Sequence, residues 1–429
     1  MVRLEEHKHK TENKPIEIMP FPARAYIPLS QHLGKICSPE VKAGDLVERG
    51  QRIATVTSGG VFSPIHSSIS GRVVSIKDWP HPVLGRCKAI VIESDGLDKS
   101  QSSSARTEEE LNKLTPEEIR NIIQEAGIVG MGGASFPTHI KLNPPKPVEN
   151  LIINCAECEP YLTSDYRLML EKTKEILLGI ELVAKCLGVK KVYIAIEDNK
   201  PKAIEAFRAI CDKRYAISVL RSQYPQGGEK QLIKSILKRE VPSGKLPFDL
   251  GVVVQNVATV YAIYEAVYLG KPLYERVVTV TGDCLENPKN LLARIGTPIK
   301  ELISFCGPLK KEPQKIVLGG PMMGIAQYSQ DTPVIKSTGG VLLFAKADAE
   351  PGVKEDGGTC LRCGRCVEYC PLGLMPCLIS MASEKEKWDL AKSYGCLECM
   401  ECGLCNFICP RKRNIVQSIK LAKTRLSQK

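Results

Sequence analysis

"CLRCGRCVEYCP" occupies residues 360–371, and "CMECGLCNFICP" occupies residues 399–410. Each stretch has three cysteines separated by two residues, then a fourth cysteine after three residues, followed by proline. This spacing is typical of chains that bind two [4Fe–4S] clusters, because three closely spaced thiolates reach three irons of one cluster. The sequence therefore predicts a domain built around two clusters, over residues 352–429.

The fourth cysteine of each motif is expected to bind the cluster of the other motif. The first cluster set is then Cys360, Cys363, Cys366 and Cys409, and the second cluster set is Cys399, Cys402, Cys405 and Cys370. Structural zinc is the alternative, but a zinc site seldom needs three evenly spaced cysteines and a fourth before proline, twice over. Cys377 and Cys396 remain as spare thiols. We expect Cys396, three residues before the second motif, to be a bystander rather than a competing ligand.

The composition favours a reducing compartment and several domains. The chain has 429 residues, 18 cysteines and a formal net charge of +11, and this length predicts three or four domains. The first residues, MVRLEEHKHKTENK, are charged and lack the apolar core of a signal peptide, so we expect a reducing cytoplasm in which clustered cysteines bind metal. No stretch is apolar enough to span a membrane, while the positive charge favours an anionic membrane surface or an acidic partner.

Residues 30–95 alternate short β-prone runs with turns. The runs are VKAGDLVERGQRIATV at 41–56, VFSPIHSSISGRVVSI at 61–76 and CKAIVIES at 87–94. They are similar to biotinyl and lipoyl domains, which implies a lipoyl-like β barrel-sandwich domain over residues 1–100. A carrier of that type presents a lysine at the hairpin tip, but residues 64–68 read PIHSS, so we interpret the domain as a scaffold. We expect His66 to lie at the surface on that turn.

Residues 96–114 are rich in serine and charge and are predicted to be a linker. Thr115, Pro116 and Glu118 then form a capping-box helix start. Strand-like runs at 151–154, 191–198, 216–220 and 249–256 alternate with helical stretches at 164–188, 201–212 and 228–238. This alternation predicts a doubly wound α/β domain over residues 116–272, with its ligand at the carboxyl ends of the strands. Residues 273–345 return to β-prone and loop-rich sequence.

Four motifs lie where such a sheet binds ligands. They are GIVGMGGASFPTHIK at 127–141, NCAECEP at 154–160, YPQGGEK at 224–230 and VQNVAT at 254–259. The glycine-rich motif alone is weak evidence, because it matches neither a Walker A loop nor the G-x-G-x-x-G fingerprint. Together the motifs resemble the FMN-bearing, NADH-oxidising subunit of respiratory complex I. The order of all domains resembles the RnfC family of Rnf ion-translocating oxidoreductases more closely.

The resemblance implies a fold for each part of the chain. Residues 116–272 would form an FMN/NADH-binding domain, and residues 273–345 a β-grasp domain of the soluble-ligand-binding (SLBB) type. Residues 352–429 would form a dicluster ferredoxin domain that ends in a basic helix. The tail from 411 to 429 has seven Lys or Arg and no acid, with apolar residues at helical spacing. This helix either packs on its own domain or docks to a partner.

The resemblance also implies the cofactor-binding residues. The FMN phosphate and ribityl chain would be held by Gly130, Gly132, Gly133 and Lys141. The flavin would be lined by Asn154, Glu157, Asn256 and Thr259, next to the Tyr224 and Gly227 segment. Phe136 and Glu229 would face the nicotinamide. The chain departs from the complex I pattern at Ser135, Ala156, Gly228 and Gln255. Cys155 and Cys158 are expected to be buried thiols rather than a further metal site.

NADH releases two electrons as a hydride, whereas iron–sulfur clusters accept one electron at a time. A flavin reconciles the two, so FMN, NAD(H) and two [4Fe–4S] clusters form a consistent cofactor set that needs no acid–base catalytic residue. The resemblance implies a peripheral subunit at the cytoplasmic face of the cell membrane, whose partner proteins couple electron flow to Na+ or H+ transport. We expect contact with ferredoxin to be indirect, and no nucleic-acid partner.

Two other functions remain open. A corrinoid reductase of bacterial microcompartments shares this architecture and would reduce cob(III)alamin without membrane partners. A non-catalytic electron relay would have lost its nucleotide, as the substitutions at Ala156 and Gly228 allow.

Overall fold

The computed structural model describes residues 1–101, 104–345 and 358–427. Residues 102–103 of the predicted linker, and residues 352–357 and 428–429 of the predicted last domain, lie outside the described residues. In the part of the chain that the structure describes, no helix is long and apolar enough to cross a membrane.

The strands, in chain order, are β1 (Ile16–Ile18), β2 (Arg24–Pro28), β3 (Ser38–Pro39), β4 (Leu46–Val47), β5 (Arg52–Thr55), β6 (Ile65–His66), β7 (Gly71–His81), β8 (Gly85–Ser94), β9 (Asn150–Cys155), β10 (Lys191–Glu197), β11 (Tyr215–Leu220), β12 (Val252–Asn256), β13 (Glu275–Gly282), β14 (Lys289–Arg294), β15 (Lys315–Leu318), β16 (Ile325–Ala326) and β17 (Gly340–Phe344). The α-helices are α1 (Glu108–Lys113), α2 (Pro116–Glu125), α3 (Thr138–Lys141), α4 (Ser164–Glu171), α5 (Thr173–Leu187), α6 (Pro201–Ile210), α7 (Glu229–Leu237), α8 (Val257–Leu269), α9 (Ile299–Phe305), α10 (Arg365–Glu368), α11 (Pro376–Glu384), α12 (Trp388–Ser393), α13 (Leu404–Phe407) and α14 (Ile415–Ser427).

The N-terminal β unit consists of two small sheets packed face to face. One sheet has the order β2-β8-β7-β4 and the other β3-β5-β6. Side chains of both sheets are fully buried between them, among them Ile27, Ile53, Ile65, Ile90 and Ile92. This is the predicted barrel-sandwich architecture, because each short strand buries one face against the other sheet.

The first 18 residues contribute no strand to these two sheets. Strand β1 instead pairs in parallel with β14, over two hundred residues away. Val2 exchanges two backbone hydrogen bonds with Tyr224 of the α/β domain, at 3.0 and 2.7 Å. We call residues 1–18 the N-terminal strap, since they run across two other domains.

The structure adds a helix to the predicted linker and overturns one expectation for the N-terminal half. The predicted linker contains helix α1, because Thr107 and Glu110 form a capping box like that of Thr115 and Glu118. His66 is buried rather than exposed, since β6 packs against the start of the glycine-rich motif. Burial and the nearby Lys336 charge lower the pKa of His66 to about 3, so its ring is neutral.

The α/β domain has a four-stranded parallel sheet of order β11-β10-β9-β12. Helices α2, α5, α6 and α8 cover one face, and α7 covers the other. All four predicted strands and the helix start at Thr115 are confirmed. The predicted helical stretch over 164–188 is two helices, α4 and α5, because Lys172 between them has a non-helical backbone.

The β-grasp unit is a mixed six-stranded sheet, β1-β14-β13-β17-β15-β16, with α9 packed on it. The cysteine-rich unit that follows is made of short helices. Its last helix, α14, buries Ile415, Ile419 and Ala422 against α11 and α12. Within the described residues the basic tail therefore packs on its own domain, one of the two alternatives that the sequence left open.

Three units meet at Lys336. This side chain of the β-grasp unit is fully buried, and its Nζ donates to the carbonyl oxygens of Pro64 and Gly127, each at 2.6 Å. Pro64 belongs to the barrel and Gly127 begins the glycine-rich motif. Burial lowers the pKa of Lys336 to about 7.

Replacement of Lys336 with methionine should destabilise the chain by about 2 kcal/mol, because two buried carbonyl oxygens lose their donor. The pKa of Lys336 is lower in the folded chain than in the unfolded chain. The wild-type free energy of unfolding should therefore gain a contribution as pH rises from about 7 towards 10. Chemical denaturation at pH 7 and pH 9.5 measures both effects. An unchanged pH dependence in Lys336→Met would contradict this account.

Candidate functional site

The predicted ligand-binding residues meet at the carboxyl ends of β9 and β12. These strands are neighbours in the sheet, and their last residues include Asn154 and Asn256, which are paired in register. The chain reverses its direction of winding between β9 and β12, and ligands of doubly wound sheets bind at such a switch point. We call this region, together with the glycine-rich loop 130–136 and the segment 224–229, the cradle.

The glycine-rich loop lies directly on the start of α8. The Met131 N–H donates to Thr259 Oγ1 at 2.9 Å, and a Cβ on Gly132 would lie 2.7 Å from Asn256 Nδ2. Gly133 is exposed, and a Cβ there would meet no atom within 4 Å. Gly132 is thus required for the close approach of loop and helix, whereas Gly133 opens towards solvent. Gly130 N–H closes the loop by donating to Phe136 O at 2.9 Å.

The Asn256 side chain caps α8 and has a fixed orientation. Its Oδ1 accepts from the N–H groups of Ala258 and Thr259, at 3.0 and 3.3 Å. Its Nδ2 donates to Asp165 Oδ2 at 2.7 Å. Two backbone donors define which end of the amide is oxygen, so its nitrogen must face Asp165.

Glu157 is buried beside the same carboxylate. Its oxygens accept from the backbone N–H of Asp165 at 2.9 Å and of Tyr166 at 3.3 Å. A carboxylate at the N-terminus of α4 is stabilised by these N–H groups. Glu157 thus positions α4 and Asp165. Asn154 joins two predicted motifs, since its Nδ2 donates to Gly227 O at 2.9 Å.

Lys141 and Glu229, predicted to contact different parts of the ligands, form an ion pair with 2.7 Å between Nζ and Oε1. Both side chains are partly exposed, so the pair can separate at small cost. Phe136 is partly buried in the adjoining loop. The predicted residues of the loop and of α7 are therefore neighbours.

Lys8 of the N-terminal strap was not predicted to belong to the site. Its buried Nζ donates to the carbonyl oxygens of Glu157, Glu159 and Leu162, at 2.8, 3.0 and 2.5 Å, and lies 4.0 Å from the Glu157 carboxylate. Local sequence holds no signal for this contact, because 149 residues separate Lys8 from Glu157. Asp165 was missed as well. Asp165 lies five residues after the end of the 154–160 motif. A search of the sequence that continued to residue 165 would have included it.

The cradle adjoins the second cysteine motif. Tyr224 is buried, and its hydroxyl donates to the Cys402 carbonyl oxygen at 2.6 Å. A Cβ on Gly228 would lie 2.5 Å from Met400 Cε, so this position requires glycine unless Met400 moves. The Cys158 thiol accepts from Gly227 N–H at 3.3 Å, while Cys155 is fully buried.

The first cluster set surrounds a cavity of about 400 Å³. Its lining includes all four predicted thiols, Cys360, Cys363, Cys366 and Cys409, together with Arg362, Arg365, Arg411 and Arg413. A single zinc ion would draw four thiolates to within about 2.3 Å of one point, whereas a cubane needs a space between them. The cavity and its positive lining fit an anionic cluster. Within the described residues, no three His, Cys, Asp or Glu side chains form a site for a single metal ion.

The second cluster set lies deeper, beside the cradle. Cys402 and Cys405 are buried. Burial is the main cause that raises the pKa of Cys402 to about 11, and the neighbouring thiols Cys399 and Cys370 raise it further. Cys409 thus lies with the first three cysteines of the other motif, and Cys370 lies beside Cys402. These positions are compatible with the prediction that each motif's fourth cysteine binds the cluster of the other motif. Of the spare thiols, Cys396 is buried, and Cys377 lies next to Cys366 in the cavity lining.

The cradle has features that suit FMN. Gly132 and Gly133 are exposed and bring bare backbone to its surface. Among the described residues, Gln255 Nε2 and Thr138 Oγ1 are buried without a hydrogen-bond partner, and they lie in the two segments that flank the cradle. The bare backbone at Gly133, where a Cβ would meet no atom, leaves room for a ligand to approach.

Three family models match successive parts of the chain. Residues 2–97 match the RnfC barrel sandwich hybrid domain, residues 123–265 match the Nuo51 FMN-binding domain, and residues 277–326 match the SLBB domain. The fold and the cradle thus define a protein with a complex I-type FMN-binding domain between two β units. The fold class expected from the sequence is confirmed.

Relatives match nearly the whole chain. The RnfC protein of the proton-translocating ferredoxin:NAD(+) oxidoreductase complex of Clostridium ljungdahlii is 48% identical over 99% of this chain and 92% of its own. Its counterpart in the Na(+)-translocating complex of Acetobacterium woodii is 44% identical over 97% of this chain and 94% of its own. The counterpart in the ion-translocating oxidoreductase complex of Rhodobacter capsulatus is 44% identical over 99% of this chain and 82% of its own. The chain therefore belongs to the RnfC family of ion-translocating oxidoreductase complexes.

A solved structure has a related fold. It is the NAD+-reducing [NiFe]-hydrogenase in the H2-reduced state, with a TM-score of 0.51 at 18% identity. The match covers 72% of this chain and 62% of the hydrogenase chain, less than two thirds of its length. At this identity the likeness concerns the fold alone.

Replacement of Gly132 with alanine should lower the free energy of unfolding by about 1 to 3 kcal/mol, because the new methyl group overlaps the fixed Asn256 amide. Gly133→Ala is the matched control, since open space surrounds that position, and it should change stability by less than about 0.5 kcal/mol. Thermal and chemical denaturation of the two variants compare them directly. Equal stability of the two variants would mean that the loop does not pack on Asn256 as described.

Replacement of Cys409 with alanine should abolish the cluster of Cys360, Cys363 and Cys366, although Cys409 lies in the other motif. Cys370→Ala should abolish the other cluster, and each variant should retain about half of the iron. Iron analysis and electron paramagnetic resonance of the dithionite-reduced protein distinguish the two. Cys377→Ala is the control and should keep all its iron. Loss of iron in that control would make Cys377 a ligand.

Proposed function

We propose that this chain passes electrons between NAD(H), FMN and two [4Fe–4S] clusters as the RnfC component of an ion-translocating ferredoxin:NAD+ oxidoreductase complex. Membership in the RnfC family and the FMN-binding domain at residues 123–265 support this function. Bound FMN would supply the conversion between a two-electron hydride and single electrons. The chain's own residues would bind, orient and shield it.

In this proposal the cradle holds FMN. Gly130, Gly132 and Gly133 bring backbone close to the ligand, and Lys141 contributes charge for the phosphate. Asn154, Glu157, Asn256 and Thr259 form the wall beneath the flavin, next to Tyr224 and Gly227. Phe136 and Glu229 lie at the side from which NAD(H) approaches. Separation of the Lys141–Glu229 ion pair would let each side chain turn to its own ligand.

One observation carries the proposal: the hydrogen bond from Tyr224 to the Cys402 carbonyl oxygen. It joins the wall of the cradle to a predicted ligand of the second cluster set without any intervening layer of protein. A flavin in the cradle and a cluster at Cys399, Cys402, Cys405 and Cys370 would be neighbours. The second cluster would therefore exchange electrons with the flavin.

The first cluster would connect this pair to a partner. Its cavity opens at the surface, where Cys363 is exposed and three of the four arginines of the lining are exposed as well. The direction of flow follows from the relative potentials of donor and acceptor. Partner proteins of the complex would couple this flow to Na+ or H+ translocation, as the names of the relatives indicate for those proteins.

We place the chain as a peripheral subunit at the cytoplasmic face of the cell membrane, in contact with the other subunits of the complex. NADH is available on that side. Ferredoxin would exchange electrons with the chain through those subunits. The four proposed units are a barrel-sandwich scaffold (1–100), the FMN/NADH domain (116–272), the β-grasp domain (273–345) and the ferredoxin domain (352–429).

The anaerobic absorbance spectrum of the reconstituted chain tests this function. With FMN and both clusters bound, NADH should bleach the flavin band and the broad iron–sulfur band together, because the two sites adjoin. The Tyr224→Phe variant keeps the ring and loses the hydroxyl that reaches Cys402. It should retain FMN and iron and transfer electrons to the clusters more slowly.

Two results would contradict the proposal. A chain that binds iron but no FMN would be an electron relay. A chain whose flavin is reduced by NADH while both clusters stay oxidised would have no path through Tyr224 and Cys402. Reduction of cob(III)alamin at a rate comparable to NADH oxidation would favour the corrinoid reductase instead.

A further inference from the structure

Asp165 is the charged group in direct contact with the fixed Asn256 amide. The Asn256 nitrogen carries two hydrogens, and Asp165 Oδ2 accepts one of them at 2.7 Å. The other hydrogen remains for a ligand in the cradle. Because Gly132 leaves no room for a Cβ next to this nitrogen, the amide lies directly against the glycine-rich loop. Asp165 is therefore one hydrogen bond away from the surface that a flavin would occupy.

Charged groups from several elements surround the Asp165 carboxyl. Glu157, at the end of the β9 segment, accepts from the Asp165 backbone N–H, and Lys8 of the strap lies 4.0 Å from the Glu157 carboxylate. Arg276 of β13 is buried nearby and donates to Lys336 O at 2.6 Å, so its charge acts on Asp165 without a direct ion pair. Cys155 of β9 is the neighbouring thiol. The carboxylates of Asp165 and Glu157 and the cations of Lys8 and Arg276 thus lie close together.

Both protonation states of Asp165 are accessible near neutral pH. Burial and the Glu157 carboxylate raise the pKa of Asp165 to about 6. The hydrogen bond from Asn256 and the charges of Arg276 and Lys8 act in the opposite direction and lower the pKa, but by less. Asp165 as a residue keeps partial contact with solvent, and the hydrogen bond between Asn256 Nδ2 and its carboxylate is part-buried. The proposed function uses no titrating group, and among the titratable side chains at the cradle Asp165 is the one bonded to the fixed Asn256 amide.

We propose that Asp165 is a positioning residue of the flavin site, which holds Asn256 against the glycine-rich loop and takes up a proton when the site gains negative charge. The inference rests on the proposed function, since it requires FMN in the cradle. Hydride transfer from NADH adds one negative charge there and leaves NAD+. A proton from water then binds the Asp165 carboxylate and compensates that charge. When the two electrons leave for the clusters, two protons return to water: the one bound to Asp165 and the one that the hydride brought to the flavin.

Two substitutions separate the parts of this role. Asp165→Asn keeps an oxygen that accepts from Asn256 but cannot titrate, whereas Asp165→Ala loses both properties. FMN affinity, measured by quenching of flavin fluorescence, should change less than about threefold in Asp165→Asn and weaken about tenfold or more in Asp165→Ala. Asp212→Asn removes an exposed carboxylate at the opposite end of the sheet and serves as the control.

Proton uptake during anaerobic reduction by NADH tests the second part. In weakly buffered solution with a pH indicator, the wild type should take up more protons per FMN reduced than Asp165→Asn. The excess should appear above about pH 6 and vanish at lower pH, where the carboxyl already holds its proton. Asp212→Asn should match the wild type. Because all chains carry the same clusters, their contribution cancels in the comparison.

The outcomes separate this inference from the proposed function. If the wild-type chain binds no FMN or NADH does not reduce it, the proposed function fails. If FMN binds and is reduced, but proton uptake is the same in Asp165→Asn and in the wild type, only the proton role is overturned. If Asp165→Ala binds FMN as tightly as Asp165→Asn does, the positioning role is overturned.

Discussion

Two buried lysine side chains hold the segments of this chain together. Lys336 donates to carbonyl oxygens of the barrel and the α/β domain, and Lys8 donates to three carbonyl oxygens of the segment that follows β9. Loops at a domain junction bury carbonyl oxygens that no strand or helix satisfies, and each needs a donor. A lysine has three N–H groups, so one side chain serves several loops at once. The cradle is built from such loops, and its geometry depends on these two residues.

The same constraint explains why the flavin-type domain does not stand alone. Its sheet and helices have their own core, but the segment 157–162 is held by the strap, and Gly127 is held by the β-grasp unit. Glu159 also accepts from the N–H groups of Met322 and Met323, at 3.0 and 2.8 Å. The site is thus assembled by contacts from the strap and from the β-grasp unit. A cofactor placed there would be fixed relative to the cysteine-rich unit, because Tyr224 and Gly228 touch that unit directly.

Local patterns predicted much of this arrangement from the sequence. Cysteine spacing predicted two ligand sets, Thr115 and Glu118 predicted a helix start, and apolar runs predicted the four parallel strands. What could not be predicted depends on contacts between distant residues. Lys8 and Lys336 look like surface lysines in the sequence, and His66 looks like a turn residue, until folding brings Gly127 and Lys336 against it. Asp165 shows no pattern of its own, because its role comes from Asn256, 91 residues away.

Charge is distributed along the chain in a way that suits electron transfer. Two acids and two cations lie together under the cradle, where a ligand would alternately gain and lose negative charge. The deep cysteine set lies between the cradle and α14, and the Lys423 Nζ donates to Cys399 O at 2.5 Å. The outer set is lined by four arginines. Positive groups near a thiolate-bound cluster stabilise its reduced, more negative form. The arginines that line the outer cavity would therefore favour the arrival of electrons at the outer cluster, and three of them are exposed where a partner must approach.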